Sequence, residues 1–396
     1  MMRTFNRSFK TLFLSTLSSA VLVSFAHAQS DQGGLPLGDG VKLFPYANLS
    51  FGRDSNLFLT NTNQKSSNLQ TYNPGVRLEA KGESAKFSLL YDITIGRYSQ
   101  SSADNYTDQR IKGLGEFVFT EKVGLKLGVD YSRNHDQRGS TDRGIAGVPD
   151  EYRITNPNLF LSLGGKDAIG RVEVEAGSAN RRYLNNRTTT LSSDRDSDNF
   201  AGRFFMRVAP KTAFLFEARE DRIDYKLGTS VQDSKERRYL AGLTWDVTDA
   251  TSGSIKVGQI RKDFAAASRR DYSGTGWEAN LSWKPLSYTK FDFFTIKTFA
   301  ESTGLGDFTL SKKFGANWQH TWNSKVSSVV SLSRNDDDFV GNTRADSTDS
   351  FGLKLNYKLM RWLTIGGEYN NTSRDSNTSG FNYKKNAYML TVGAAL

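Results

Sequence analysis

Tyr388-Met389-Leu390-Thr391-Val392-Gly393-Ala394-Ala395-Leu396 ends the sequence on an alternation of period two. Tyr388, Leu390, Val392, Ala394 and Leu396 fall on one apolar face of an extended strand, and Met389, Thr391, Gly393 and Ala395 on a small or mixed one. An oily face along a whole terminal strand must be covered by a core or by lipid.

Working outward, the same alternation recurs along the chain. Val123, Leu125, Leu127, Val129 and Tyr131 repeat it, as do Tyr239, Ala241, Leu243 and Trp245, and later Phe351, Leu353, Leu355 and Tyr357. About eighteen such segments, each roughly 11–14 residues long, run from 42–53 to 382–396, enough to cross a bilayer at a tilt. Alternation alone fits a soluble sandwich equally well.

The connections decide between the two. Short links such as Thr120–Lys122, Pro210–Lys211 and Met360–Arg361 alternate with long ones such as Ser55–Leu69, His135–Glu151 and Asn335–Ser347. Tight turns at one end and longer loops at the other mark an outer-membrane barrel. Trp245, Trp283, Trp322 and Trp362 cluster beside the tight turns, where aromatic girdles belong. The expected fold is therefore all-β, a transmembrane antiparallel up-and-down β-barrel. Eighteen strands are expected, sixteen being the neighbouring even count, with both termini periplasmic.

Residues 1–28 read as a signal peptide: Arg3, Arg7 and Lys10, an apolar stretch from Leu12 to Phe25, then Ala26-His27-Ala28 before Gln29. Residues 29–41 form a periplasmic lead and 42–396 the barrel. The 396 residues include no cysteine, so disulfides and thiolate chemistry are excluded. The net charge of +10 falls to about +7 when the three basic signal residues leave. Nucleic acid is not an expected partner of an exported chain.

Little points to catalysis. His135 and His320, the histidines left after the signal, fall in an outer loop and beside a periplasmic turn, too far apart for one triad. Neither a nucleophile elbow nor a zinc-binding helix pair is present. Asp194-Arg195-Asp196-Ser197-Asp198 opens like a calcium loop but carries Asn199 and Phe205 where Gly and Glu are required. It and Asp336-Asp337-Asp338 read as solvated loops. No enzyme activity, cofactor or metal is expected.

The inner face carries the more informative charges. Arg171, Glu173, Glu175, Arg181, Arg203, Arg207, Glu217, Arg219, Arg238 and Lys256 occupy the non-lipid parity of consecutive strands, so hairpin pairing sets them on one wall. Such a wall either braces the barrel or selects solutes by charge. Tyr98 and Trp318 are candidate lumen aromatics for stacking on sugar rings.

Two motifs carry a resemblance. Tyr388, Leu390, Val392 and Leu396 resemble the C-terminal assembly signal of bacterial outer-membrane barrels, with Leu396 in place of the usual Phe. Arg53-Asp54-Ser55-Asn56-Leu57-Phe58 closes the first strand in a pattern similar to the β-barrel porin 2 family, which includes EpsL-like barrels of exopolysaccharide systems. The resemblance implies an integral protein of the Gram-negative outer membrane that takes part in exopolysaccharide export. The alternatives are a general porin for small anionic solutes and a non-conducting barrel whose loops bind surface ligands. Expected partners are outer-membrane lipid and lipopolysaccharide, the barrel assembly machinery and polysaccharide export components.

Overall fold

The computed structural model describes residues 33–165, 168–248 and 250–396, so the signal-peptide reading lies outside the described residues. The first strands are β1 (Leu35–Gly38), β2 (Val41–Asp54), β3 (Ser67–Lys81), β4 (Ala85–Tyr98), β5 (Tyr106–Thr120) and β6 (Val123–Asp136). Next come β7 (Asp150–Leu163), β8 (Gly170–Tyr183), β9 (Arg195–Ala209), β10 (Thr212–Tyr225), β11 (Ser234–Thr248) and β12 (Thr251–Phe264). The series ends with β13 (Tyr272–Leu286), β14 (Thr289–Glu301), β15 (Phe308–Thr321), β16 (Val326–Val340), β17 (Ala345–Met360), β18 (Leu363–Ser376) and β19 (Tyr383–Ala395).

From β2 to β19 each strand pairs antiparallel with the next, and β19 returns to pair with β2. The closing register sets Leu390 opposite Phe51, Val392 opposite Leu49 and Ala394 opposite Ala47. Eighteen strands thus form a closed cylinder with no free edge, the condition for satisfying backbone groups in lipid. No helix among the described residues is long and apolar enough to span a membrane.

The belt follows from the alternation. Leu127, Val129, Phe214, Phe216, Ile255, Val257, Leu353, Leu355, Tyr388 and Leu390 are all exposed large apolar side chains on the outer parity of their strands. The opposite parity faces the interior and is mostly polar, with Leu215, Ile223, Leu240 and Ile260 as buried apolar exceptions. Each barrel strand is 13–16 residues long, beyond the ~9–11 that a tilted crossing needs, so the loop ends rise into water.

That extra length corrects several expectations. Part of the lead is a strand: β1 folds back on β2, with Leu35 opposite Leu43. The expected loop Asn335–Ser347 shrinks to a turn between β16 and β17, and Asp336, Asp337 and Asp338 lie in β16. Their partners hold them extended: Lys312 Nζ reaches Asp338 at 2.9 Å, Arg334 Nε reaches Asp336 at 3.0 Å, and Ser311 bonds Asp337. The Asp194–Asp198 run likewise leads into β9. His135 lies in β6, one residue before its end, and stacks on Tyr106 at 4.1 Å. Trp318 lies on the outer face beside Phe291 (6.2 Å between centroids), not in the lumen, because its parity is that of exposed Phe314 and Trp322.

Candidate functional site

The site is the barrel interior, built in two tiers. The lower tier is the charged wall of β8–β13. Register places Arg203 of β9 opposite Glu173 of β8 and Glu217 of β10. Arg203 Nε donates to Glu217 at 2.6 Å and its Nη2 to Glu175 at 2.9 Å. Lys256 Nζ sits 3.3 Å from Glu217 and 3.0 Å from Glu278. Arg219 joins at 3.7 Å to Glu175 and 3.0 Å to Asp221. In this group three cations, Arg203, Arg219 and Lys256, meet four carboxylates, Glu175, Glu217, Glu278 and Asp221, so every cation has at least one acidic partner.

The other wall residues stand apart. Arg171 pairs with Glu173 at 3.3 Å and lies over the Phe205 ring at 4.1 Å. Arg238 approaches Glu236 at 3.5 Å. Glu236 also holds Lys262 (2.9 Å), which reaches Glu301 of β14 at 2.6 Å. Arg207 lies near the tight-turn end, its backbone N–H donating to the Ile169 carbonyl at 2.8 Å. Arg181 belongs to the upper tier, 3.9 Å from the Tyr152 ring and 3.8 Å from Asp136.

The upper tier forms where the sheet opens. The β5–β6 ladder stops at Gln109 opposite Arg133, although β6 continues to Asp136. The β13–β14 ladder stops at Glu278 opposite Ile296, although β13 begins at Tyr272 and β14 runs on to Glu301. Freed there, the β14–β15 hairpin packs Phe299, Phe308 and Leu310 against Ile260, a buried cluster flanked by Phe264 and Tyr272. Burial of these side chains gives the inward bend its apolar driving force.

The β6–β7 loop bends inward from the other opening. Gln137 Nε2 donates to the Leu57 carbonyl at 2.5 Å, and Arg138 lies over the Phe58 ring at 4.4 Å while bonding Asp104 at 2.7 Å. Gly139 has a φ of 81° and runs close against the Phe58 carbonyl, leaving no room for a side chain. Arg143 returns to the wall, bonding Asp150 at 2.8 Å and Asp136 at 3.2 Å.

The two inward pieces meet. Thr303 Oγ1 donates to Asp142 Oδ2 at 3.0 Å, and Arg344 Nη1 to Asp142 Oδ1 at 2.6 Å. Arg344, under the Phe381 ring plane at 3.6 Å, also bonds Asp346 at 2.5 Å. Burial opposes its charge, but the bonds to Asp346 and Asp142 outweigh that and raise its pKa above the ordinary arginine value. Asp142 is thus a clasp between two loops and a turn.

The Arg53–Phe58 motif underlies this tier. Asp54 Oδ1 accepts from the Asn56 N–H at 2.9 Å, an Asx-type turn. Asn56 Nδ2 donates to the Thr60 carbonyl at 2.7 Å and the Lys384 carbonyl at 2.9 Å, while Ser55 Oγ accepts from the Asn386 N–H at 2.8 Å. The motif therefore ties loop one to the last strand, and Leu57 and Phe58 then seat the inward loop. Tyr98 lies on the inner face beside Tyr106, 6.4 Å between centroids. Among the described residues no group of three or more His, Cys, Asp or Glu side chains could hold a metal. The clasp and the openings were not foreseen from sequence; Gly139, Gly144 and the alternating charges of Arg138, Asp142 and Arg143 were the available signal.

Comparison with known proteins agrees with this architecture. The family model "Putative beta-barrel porin 2" matches residues 31–396. The crystal structure of OpdO from Pseudomonas aeruginosa is similar over 90% of this chain and 98% of that one, at 12% identity and a TM-score of 0.50. The outer membrane protein opdK from Pseudomonas aeruginosa aligns over 90% and 99%, at 10% identity and a TM-score of 0.48. The siderophore receptor PirA from Pseudomonas aeruginosa aligns over 89% and 80%, at 10% identity and a TM-score of 0.46. Among curated proteins nothing matches.

Proposed function

Because the chain belongs to the β-barrel porin 2 family, a family of outer-membrane barrels, we propose that it is a passive channel for small hydrophilic solutes. The observation that carries this reading is the ion-paired inner wall around Arg203, enclosed by a lipid-facing belt. The clasp at Asp142 sets the width of the mouth. With cations and carboxylates paired along the wall, charge preference is weak rather than anionic. Channel recordings in planar bilayers, with liposome swelling in sugars of graded size, test this. Stepwise conductance and a size cut-off in the oligosaccharide range are expected. No conductance under any condition would leave a surface barrel that binds ligands through its loops.

A second reading is export of saccharide chains, as the resemblance implies. It is supported by two half-buried inner-face rings near the mouth, Tyr98 and Tyr106, which offer stacking surface. It requires the Asp142 clasp to open for the chain to pass. Unchanged exopolysaccharide secretion in a deletion strain would reject it.

A further inference from the structure

On the outer face, above the apolar belt, register aligns three arginines across three strands. Arg133 of β6 stands opposite Arg153 of β7, and Arg153 opposite Arg182 of β8. All three share the parity of the exposed Leu127, Val129, Leu159 and Val172, so their side chains leave the barrel. Like charges directly opposite one another in a sheet repel. The flanking two are relieved: Arg133 reaches Glu151 at 2.5 Å and Arg182 reaches Asp196 at 2.7 Å. Lys226 also contacts Asp196, so that carboxylate is shared between two cations. Among the described residues the exposed Arg153 guanidinium has no hydrogen-bond or ion-pair partner.

The level of the row says what can reach it. Two residues below Arg133 lies Tyr131, opposite Thr155, and two further below lies Val129 of the belt. One two-residue step is about 7 Å of strand, so the row stands just above the hydrocarbon edge, at headgroup height. A planar guanidinium with free donors recognises phosphate oxygens bidentately.

We propose that Arg153, flanked by Arg133 and Arg182, binds a phosphate of an anionic glycolipid headgroup in the outer leaflet. The proposal rests on the outer face being lipid-embedded, and it is independent of whether the lumen conducts. The excess cation on the row is then neutralised by lipid rather than by protein, anchoring the β6–β8 sector from which the inward loop springs.

Native mass spectrometry of the full barrel, released from neutral detergent with bisphosphorylated lipid A added, tests it. Wild type is expected to retain lipid A, and Arg153→Gln to retain about tenfold less, the worth of one charge-assisted contact. Lipid A stripped of its phosphates is expected to be lost from wild type as well. Heat-modifiable migration confirms that each variant is folded. Equal retention in Arg153→Gln, or retention indifferent to the lipid phosphates, would overturn the assignment. Displacement of lipid A by inorganic phosphate at about millimolar concentration, typical of weak binding, would also overturn it, giving the site to a soluble anion.

Discussion

Asp142 and Arg344 lie 202 residues apart in sequence and meet at 2.6 Å across the mouth of the barrel. Arg344 is almost wholly buried there, with Asp346 on its other side. Truncating one partner of a buried pair costs about 3–5 kcal/mol, because the other charge is left without compensation. Arg344→Ala is therefore expected to release the β6–β7 loop without unfolding the wall. Limited trypsin digestion should cleave at Arg138 and Arg143 much faster in the variant, while the heat-modifiable barrel persists. Equal cleavage rates would mean that the loop is held by something else.

Asn56 supports the same loop from below. It is fully buried, and its amide bonds the Thr60 and Lys384 carbonyls and the Thr60 N–H. Asn56→Ala leaves those half-buried backbone groups without their side-chain partner, at about 1 kcal/mol. Urea unfolding followed by tryptophan fluorescence should register a lower midpoint with an unchanged slope. A midpoint equal to wild type would show that the motif does not clamp the seam.

Arg203 bears on selectivity as well as stability. It stands between Glu175 and Glu217, which lose their shared cation in Arg203→Ala. The wall then carries excess negative charge, and reversal potentials in a salt gradient should move toward cations. Folding yield should also fall. An unchanged reversal potential would place the ion path away from this wall.

The belt makes a simpler prediction. Val257 is 55% exposed on the outer face of β12. Val257→Arg puts a charge against hydrocarbon, at about 2–4 kcal/mol near the midplane. Unfolding of the reconstituted barrel should show that loss, whereas the same change in detergent-free aqueous loops is tolerated. A loss below ~0.5 kcal/mol would put β12 outside the hydrocarbon.

How much of this was legible in the sequence varies by feature. Tyr388–Leu396 disclosed a lipid-facing strand, and closure against Phe51 and Leu49 followed from strand count. Arg203 and Glu217 were legible too, since parity and a two-residue turn bring them together. The ends of β16 and β17 were not, because an aspartate run signals a loop locally. The partners that keep it extended, Lys312 and Ser311, lie on β15. The inward loop was hidden for a similar reason. Its supports at Leu57, Thr303 and Arg344 are remote in sequence, and local composition does not distinguish a loop that folds inward from one that stands in solvent.

We expect the Asp142 clasp to limit passage through the mouth. Single-channel current through Asp142→Ala in a planar bilayer, compared with wild type at the same salt and voltage, tests it directly. Losing the bonds to Thr303 and Arg344 should raise the conductance of each step and admit larger sugars in liposome swelling. Identical step size and an identical sugar cut-off in the two proteins would contradict the account.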